Sequence, residues 1–192
     1  MRALDEATDE DLLRRTHEGD PAAFHQLYQR HVDTIFRFAY RMLGSQENAE
    51  DVTHDCFLAL IRNPGKFDPR RGALRTYLYI AVRNLIAKRL RRPGAESPAE
   101  CEMENLPEDV DKGPLPRLLA RELSSKVRGA IGMMPPLQRE VLVLSEYEEQ
   151  SLTQIAAIVG TDVGTVKSRL HRARAWLRRE MAPYMSRAPE KR

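Results

Sequence analysis

Cysteine and long apolar runs are scarce in this 192-residue chain, and each scarcity excludes something. Two cysteines, Cys56 and Cys101, cannot make a disulfide framework or, alone, a zinc site, and the five histidines add no metal-ligand spacing. Both thiols are read as free and reduced, and no cofactor or metal is expected. No apolar run reaches membrane-spanning length, and the N-terminal MRALDEATDEDLL is acidic and lacks a signal-peptide core. The expected location is the cytoplasm, without membrane insertion. Strand-like alternation is missing, and so is any nucleophile–base arrangement or phosphate loop, which argues against an enzyme. What is present is 42% apolar and 31% charged residues, enough to bury a core in one or two small domains of all-α class.

The net charge of +3 hides a segmentation along the chain. Residues 1 to 60 carry a net −6, residues 61 to 92 a net +9, residues 93 to 116 a net −6 and residues 117 to 192 a net +6. Two basic blocks separated by an acidic one imply two contacts with a polyanion, joined by a segment that repels it. That acidic segment, 93 to 116, holds five prolines and no apolar periodicity, so it reads as an extended linker between two helical domains. Helices are expected near 9 to 18, 21 to 43, 47 to 62 and 74 to 91 before it. After it they are expected near 117 to 132, 136 to 146, 152 to 159 and 163 to 180.

The stretch from Ser151 to Arg179 carries the strongest signal. Leu152, Ile155, Ala156 and Val159 form one apolar stripe, opened by Ser151 and Gln154 as a capping box and closed by Gly160. Thr161 and Asp162 are candidate caps for the next helix, in which Val166, Leu170, Ala173 and Leu177 form a second stripe. Gly164, Lys167, Ser168, His171, Arg172 and Ala175 then point away from it. A tight turn before a basic helix of this kind reads as a helix-turn-helix with Lys and Arg placed for base edges in the major groove. Small Gly164 and Ala175 would permit close approach.

Two helices of the first domain are unusual. In the helix at 47 to 61, Val52, Cys56 and Ala59 make a core stripe, while Leu58 and Ile61 share another side with Glu50, Asp51, His54 and, at its flank, Asp55. That mixed face fits a basic, part-apolar protein partner or cover by another helix of the same domain, and periodicity does not choose between them. In the helix after Ala73, Leu78, Val82 and Leu85 form the core stripe, and Tyr77, Ile80, Asn84, Lys88 and Arg91 line the other side. A ring, an amide and cations in one row suit unstacked single-stranded bases, with the preceding loop from Lys66 to Gly72 as a second basic wall. A half-buried packing role for the tyrosine is the plainer alternative.

These residues together resemble the extracytoplasmic-function (ECF) sigma factors of bacterial RNA polymerase, in the sigma-70 family. GDPAAFHQLYQRH at 19 to 31, AEDVTHDCFLAL at 49 to 60 and TYLYIAVRNLIAKRLRR at 76 to 92 are similar to the family's region 2. MPPLQREVLVL at 134 to 144 and VGTVKSRLHRARAWLRR at 163 to 179 are similar to region 4. The resemblance implies a region 2 domain at 1–92, a linker at 93–116, a region 4 domain at 117–183 and a tail at 184–192. It implies binding to core polymerase through a coiled coil of the largest catalytic subunit, with Asp51, Val52, His54, Asp55 and Leu58 as contacts, and through the flap for region 4. It implies capture of minus-10 DNA by Asn84, Tyr77, Lys88, Arg91, Lys66, Arg70 and Arg71. Lys167, Ser168, His171 and Arg172 would read minus-35 duplex, with Thr165, Arg169 and Arg174 beside them and both arginines placed for phosphates. The acidic linker would lie in polymerase channels that otherwise hold nucleic acid, and an anti-sigma factor is an expected partner. The chain departs from the family at Tyr77-Leu78, where Trp-Leu is usual, at His54-Asp55, where Gln then Glu is frequent, and at Lys88, where an Asp is common. The rival reading is a stand-alone helix-turn-helix regulator that acts without polymerase; a degenerate sigma that only sequesters a partner is disfavoured by the intact basic residues at 167 to 179.

Overall fold

The computed structural model describes residues 7–91 and 114–185, and every described segment of regular structure is helical. The first domain contains α1 (Asp9–His17), α2 (Pro21–Leu43), α3 (Gln46–Arg62) and α4 (Leu74–Leu90), with two short 3-10 turns, Pro64–Lys66 and Pro69–Arg71, between the last two. The second contains α5 (Pro114–Met133), α6 (Pro136–Glu146), α7 (Leu152–Val159) and α8 (Val163–Met185).

Local chemistry sets most of these boundaries. Thr8 caps α1 by accepting from the Asp11 amide, and Asp20 caps α2 through the Ala22 and Ala23 amides, with Pro21 in the first turn where its missing N–H costs nothing. Gly44 ends α2 at φ 72°, a left-handed conformation that a side chain would resist, and Ser45 immediately caps α3. Two boundaries differ from the sequence reading by more than one residue. Helix α5 starts at Pro114, so the last three residues of the expected linker are helical; residues 93–113 of it lie outside the described residues, as does Cys101. Prolines at the start of a helix block no hydrogen bond that the helix needs, so Pro114 and Pro116 do not delay it. Helix α8 runs to Met185 rather than 180 and takes in the start of the expected tail.

Helices α2, α3 and α4 pack together with α1 laid against α2. Their common core holds Leu12, Leu27, Ile35, Phe38, Phe57, Leu60, Leu78 and Val82, with Tyr28 edge-on to Phe57 at 4.8 Å. Burying that set supplies the main driving force for the domain, at roughly 1.5–3 kcal/mol for each large apolar side chain. In the second domain α8 crosses α5, α6 and α7, enclosing Ile131, Met134, Val141, Leu144, Ile155, Val166, Leu170 and Ala173. The two domains are also in contact: α2 meets α6, and α4 meets α7.

Candidate nucleic-acid and polymerase interfaces

The helix-turn-helix is built as its residues dictate. Ser151 and Gln154 form a reciprocal capping box at the start of α7, and Gly160 ends it at φ 69°. Asp162 then opens α8, its carboxylate accepting from the Thr165 amide at 2.8 Å and the Thr165 hydroxyl at 2.6 Å. These bonds, the hydroxyl's first, hold the Asp162 carboxyl below the ordinary carboxylate value. A side chain at Gly164 would meet that carboxylate at 2.9 Å, so the cap gives a second reason for glycine there. Val166, Leu170 and Ala173 are buried, Leu177 is half-buried, and Gly164, Lys167, Ser168, His171, Arg172 and Ala175 are all exposed. Thr165 is half-buried and committed to the cap, while the Ser168 hydroxyl donates to the Gly164 carbonyl. Arg174 is exposed and paired with Glu146 at 2.6 Å; Arg169 is half-buried near Glu140.

On α4, Asn84, Lys88 and Arg91 are exposed along one side. Tyr77 is half-buried, its ring edge-on to Phe67 with centroids 5.6 Å apart, which fastens the basic loop to the start of the helix. Lys66, Arg70 and Arg71 stand exposed on that loop, and Asp68 organises its second turn by accepting from the Arg70 amide. The loop is thus held beside the N-terminal end of α4 through Phe67 and Tyr77. The core stripe of α4 is wider than expected: Leu74, Tyr79 and Ile86 are buried, while Leu85 is only half-buried.

On α3, Asp51, His54 and Asp55 are exposed and Leu58 is half-buried. Val52 keeps the core position that its spacing gives it, and its burial argues against the polymerase contact that the resemblance implied. It is 3% exposed and packs in the core with Cys56 and Leu60, one side of the helix being unable to serve both interior and partner. Asp51 pairs with Arg89 of α4 at 3.2 Å. Cys56 is free and buried, with its thiol pushed up to about 12 by desolvation.

The domain contact is made by groups that sequence reasoning missed. Glu148, in the turn after α6, is 2% exposed; its carboxylate accepts from the Arg41 guanidinium at 3.0 Å and the Tyr79 hydroxyl at 2.9 Å. The Arg75 guanidinium donates to the Glu148 carbonyl at 3.3 Å. Glu140 is paired with Arg83, and burial raises both carboxyls above the ordinary value. Arg139 has no carboxylate; it donates to the carbonyls of Met42, Gly132 and Met134, at the C-terminal ends of α2 and α5, where the helix dipoles favour a cation. In a sequence, Glu148 within EYEEQ is indistinguishable from a solvated acid.

Residues 27–95 match the family model of sigma-70 region 2, and residues 124–177 match that of sigma-70 region 4. The ECF RNA polymerase sigma factor SigE of Mycolicibacterium smegmatis is 32% identical, over 97% of this chain and 77% of that one. The chain belongs to the ECF sigma factors of the sigma-70 family. The ECF sigma factor SigW of Bacillus subtilis is 33% identical to it, over 88% of this sigma factor and 94% of its relative. Among solved structures, that of CnrH in complex with the cytosolic domain of CnrY is similar at 26% identity and a TM-score of 0.66, covering 94% of this chain and 99% of the other. Membership in this family sets aside the stand-alone regulator. Among the described residues no helix is long and apolar enough to cross a membrane.

Proposed function

We propose that this sigma factor divides promoter recognition between its two domains, with α8 reading minus-35 duplex and α4 with the 66–72 loop holding melted minus-10 DNA. It is a transcription initiation factor of RNA polymerase by family, and its role is non-enzymatic and cytoplasmic. The observation that carries the division is the outer face of α8, where Lys167, Ser168, His171 and Arg172 stand exposed in one row above a fully apolar underside. Arg and Lys at the N-terminal half of a recognition helix match guanine edges, and Arg174 and Arg169 flank the row for phosphates. Thr165 acts by fixing the cap that aims the helix. On α3, Asp51, His54, Asp55 and Leu58 form the contact with the basic coiled coil of core polymerase, and an anti-sigma factor is the expected restraint on the free protein.

Transcription from a promoter library with added core polymerase tests the assignment. Arg172→Ala and Lys167→Ala should lose discrimination at separate minus-35 positions, at about 1–3 kcal/mol for a bidentate base contact. Unchanged use of every minus-35 variant by both proteins would refute the role of α8.

A further inference from the structure

The docked arrangement and promoter recognition are geometrically incompatible. Elements near minus 35 and minus 10 lie roughly 80 Å apart along a duplex rising about 3.4 Å per step, whereas a compact chain of this length has a radius of gyration near 16 Å. With α4 against α7, the two reading faces belong to one small body, so the domains must separate when both elements are held.

Separation exposes a surface that the docked form fills with acid. Glu148 sits among Arg41, Arg37 and Arg75, and Glu140 sits against Arg83. The turn that delivers Glu148 is built for it: Glu149 adopts φ 53°, unfavourable for a residue with a side chain, and the Gln150 amide donates to the Glu148 carbonyl at 2.7 Å. Removing both carboxylates leaves four guanidiniums on α2 and α4 without compensating charge, which water and a polyanion both relieve but buried apolar packing does not. Arg83 lies about 100° around α4 from Asn84 and one turn from Ile80, so the strip begins beside the side of α4 assigned to minus-10 DNA and runs away from it toward α2. Forked guanidiniums on rigid helices, beginning beside the proposed nucleic-acid face, suit phosphates better than a protein carboxylate surface.

We propose that the arginine strip formed by Arg37, Arg41, Arg75 and Arg83 is a duplex-phosphate surface, and that Glu140 and Glu148 occupy it in the docked form where phosphates stand in the open one. Promoter duplex and the second domain then compete for the same cations, so the free factor is held closed and DNA itself helps to open it. The proposal rests on the division of recognition given above, but its test needs neither polymerase nor a promoter.

Energy transfer between dyes at Glu50→Cys and Arg178→Cys, both exposed, reports domain separation. Cys101→Ser removes the other reactive thiol, and Cys56 stays buried. The probe is a 30-base-pair duplex without promoter sequence. In the otherwise unaltered protein, duplex binding should lower transfer. The variant Glu140→Gln with Glu148→Gln should show low transfer before DNA is added and bind the duplex about tenfold tighter, because a larger fraction is competent. Adding Arg41→Ala and Arg83→Ala should remove that gain and lower the salt slope by about two phosphate contacts. Duplex binding with transfer unchanged in the unaltered protein would overturn the proposal. So would an open glutamine variant with unaltered DNA affinity, which would leave the strip to an acidic protein surface. Loss of polymerase-dependent transcription, with these results intact, would instead count against the division of recognition.

Discussion

Asn84 stands exposed on α4, one turn before Lys88 and two turns after Tyr77, whose ring meets Phe67 of the basic loop. Its amide offers a donor and an acceptor to the edge of an extruded base, and extrusion costs a few kcal/mol that the pocket must offset. Asn84→Ala should therefore leave core binding and minus-35 discrimination intact while reducing open-complex formation on duplex promoters. A pre-melted template should restore much of the loss, since the unpairing cost is already met. Permanganate footprinting of duplex and bubble templates side by side makes the check, and equal opening of duplex by mutant and parent would end the base-capture role. The substitution of Tyr77 for the family's Trp is tolerable at this scale because its ring is held edge-on by Phe67 and keeps an aromatic surface beside the loop.

At the scale of the element, α1 shows how a polar anchor fixes a helix that contributes only a few core residues. Asp9 accepts from His31 at 2.8 Å and from Arg30 at 3.2 Å, and the His31 bond chiefly holds its carboxyl below the ordinary value of 3.8. A depressed carboxyl means that the folded state binds fewer protons than the unfolded one. The stabilisation is therefore complete above pH 3.8 and is lost as the pH falls through the lower folded value. Asp9→Asn should cost about 1 kcal/mol at neutral pH, measured by urea unfolding, and the difference from the parent should shrink once both are acidified below that range. A constant difference down to pH 2 would show that packing of Leu12 and Leu13, rather than the ionised pair, holds α1.

The largest scale joins the chain to its polymerase. Asp51 and Asp55 stand exposed on α3 beside half-buried Leu58 and Ile61. Asp51→Arg with Asp55→Arg reverses two charges that would meet a basic coiled coil, and should abolish co-purification with core polymerase. Folding should survive, since the Asp51–Arg89 pair is exposed and such pairs contribute about 0–1 kcal/mol. An unchanged circular dichroism melt together with lost binding is the expected pair of results; a folded double variant that still co-purifies would move the contact elsewhere.

The eight helices, the capping box at Ser151, the left-handed Gly160 and the exposed row from Lys167 to Arg172 were all legible in the linear chain. Each follows from spacing at 3.6 residues per turn or from side-chain chemistry within four residues, and neither needs a distant partner. Val52 was read into the core by its spacing and is buried there; the resemblance, not the periodicity, put it among the polymerase contacts. Arg41, Arg75, Tyr79, Arg83, Arg139, Glu140 and Glu148 gave no local signal, since burial of a charge is decided by what folds over it, here segments 57 to 107 residues apart. By itself the sequence determined the elements, their two domains and which basic faces stand exposed. Only the tertiary structure decided that the domains dock, because the buried ion pairs and carbonyl caps that hold them together are long-range and vanish when the chain is read in order.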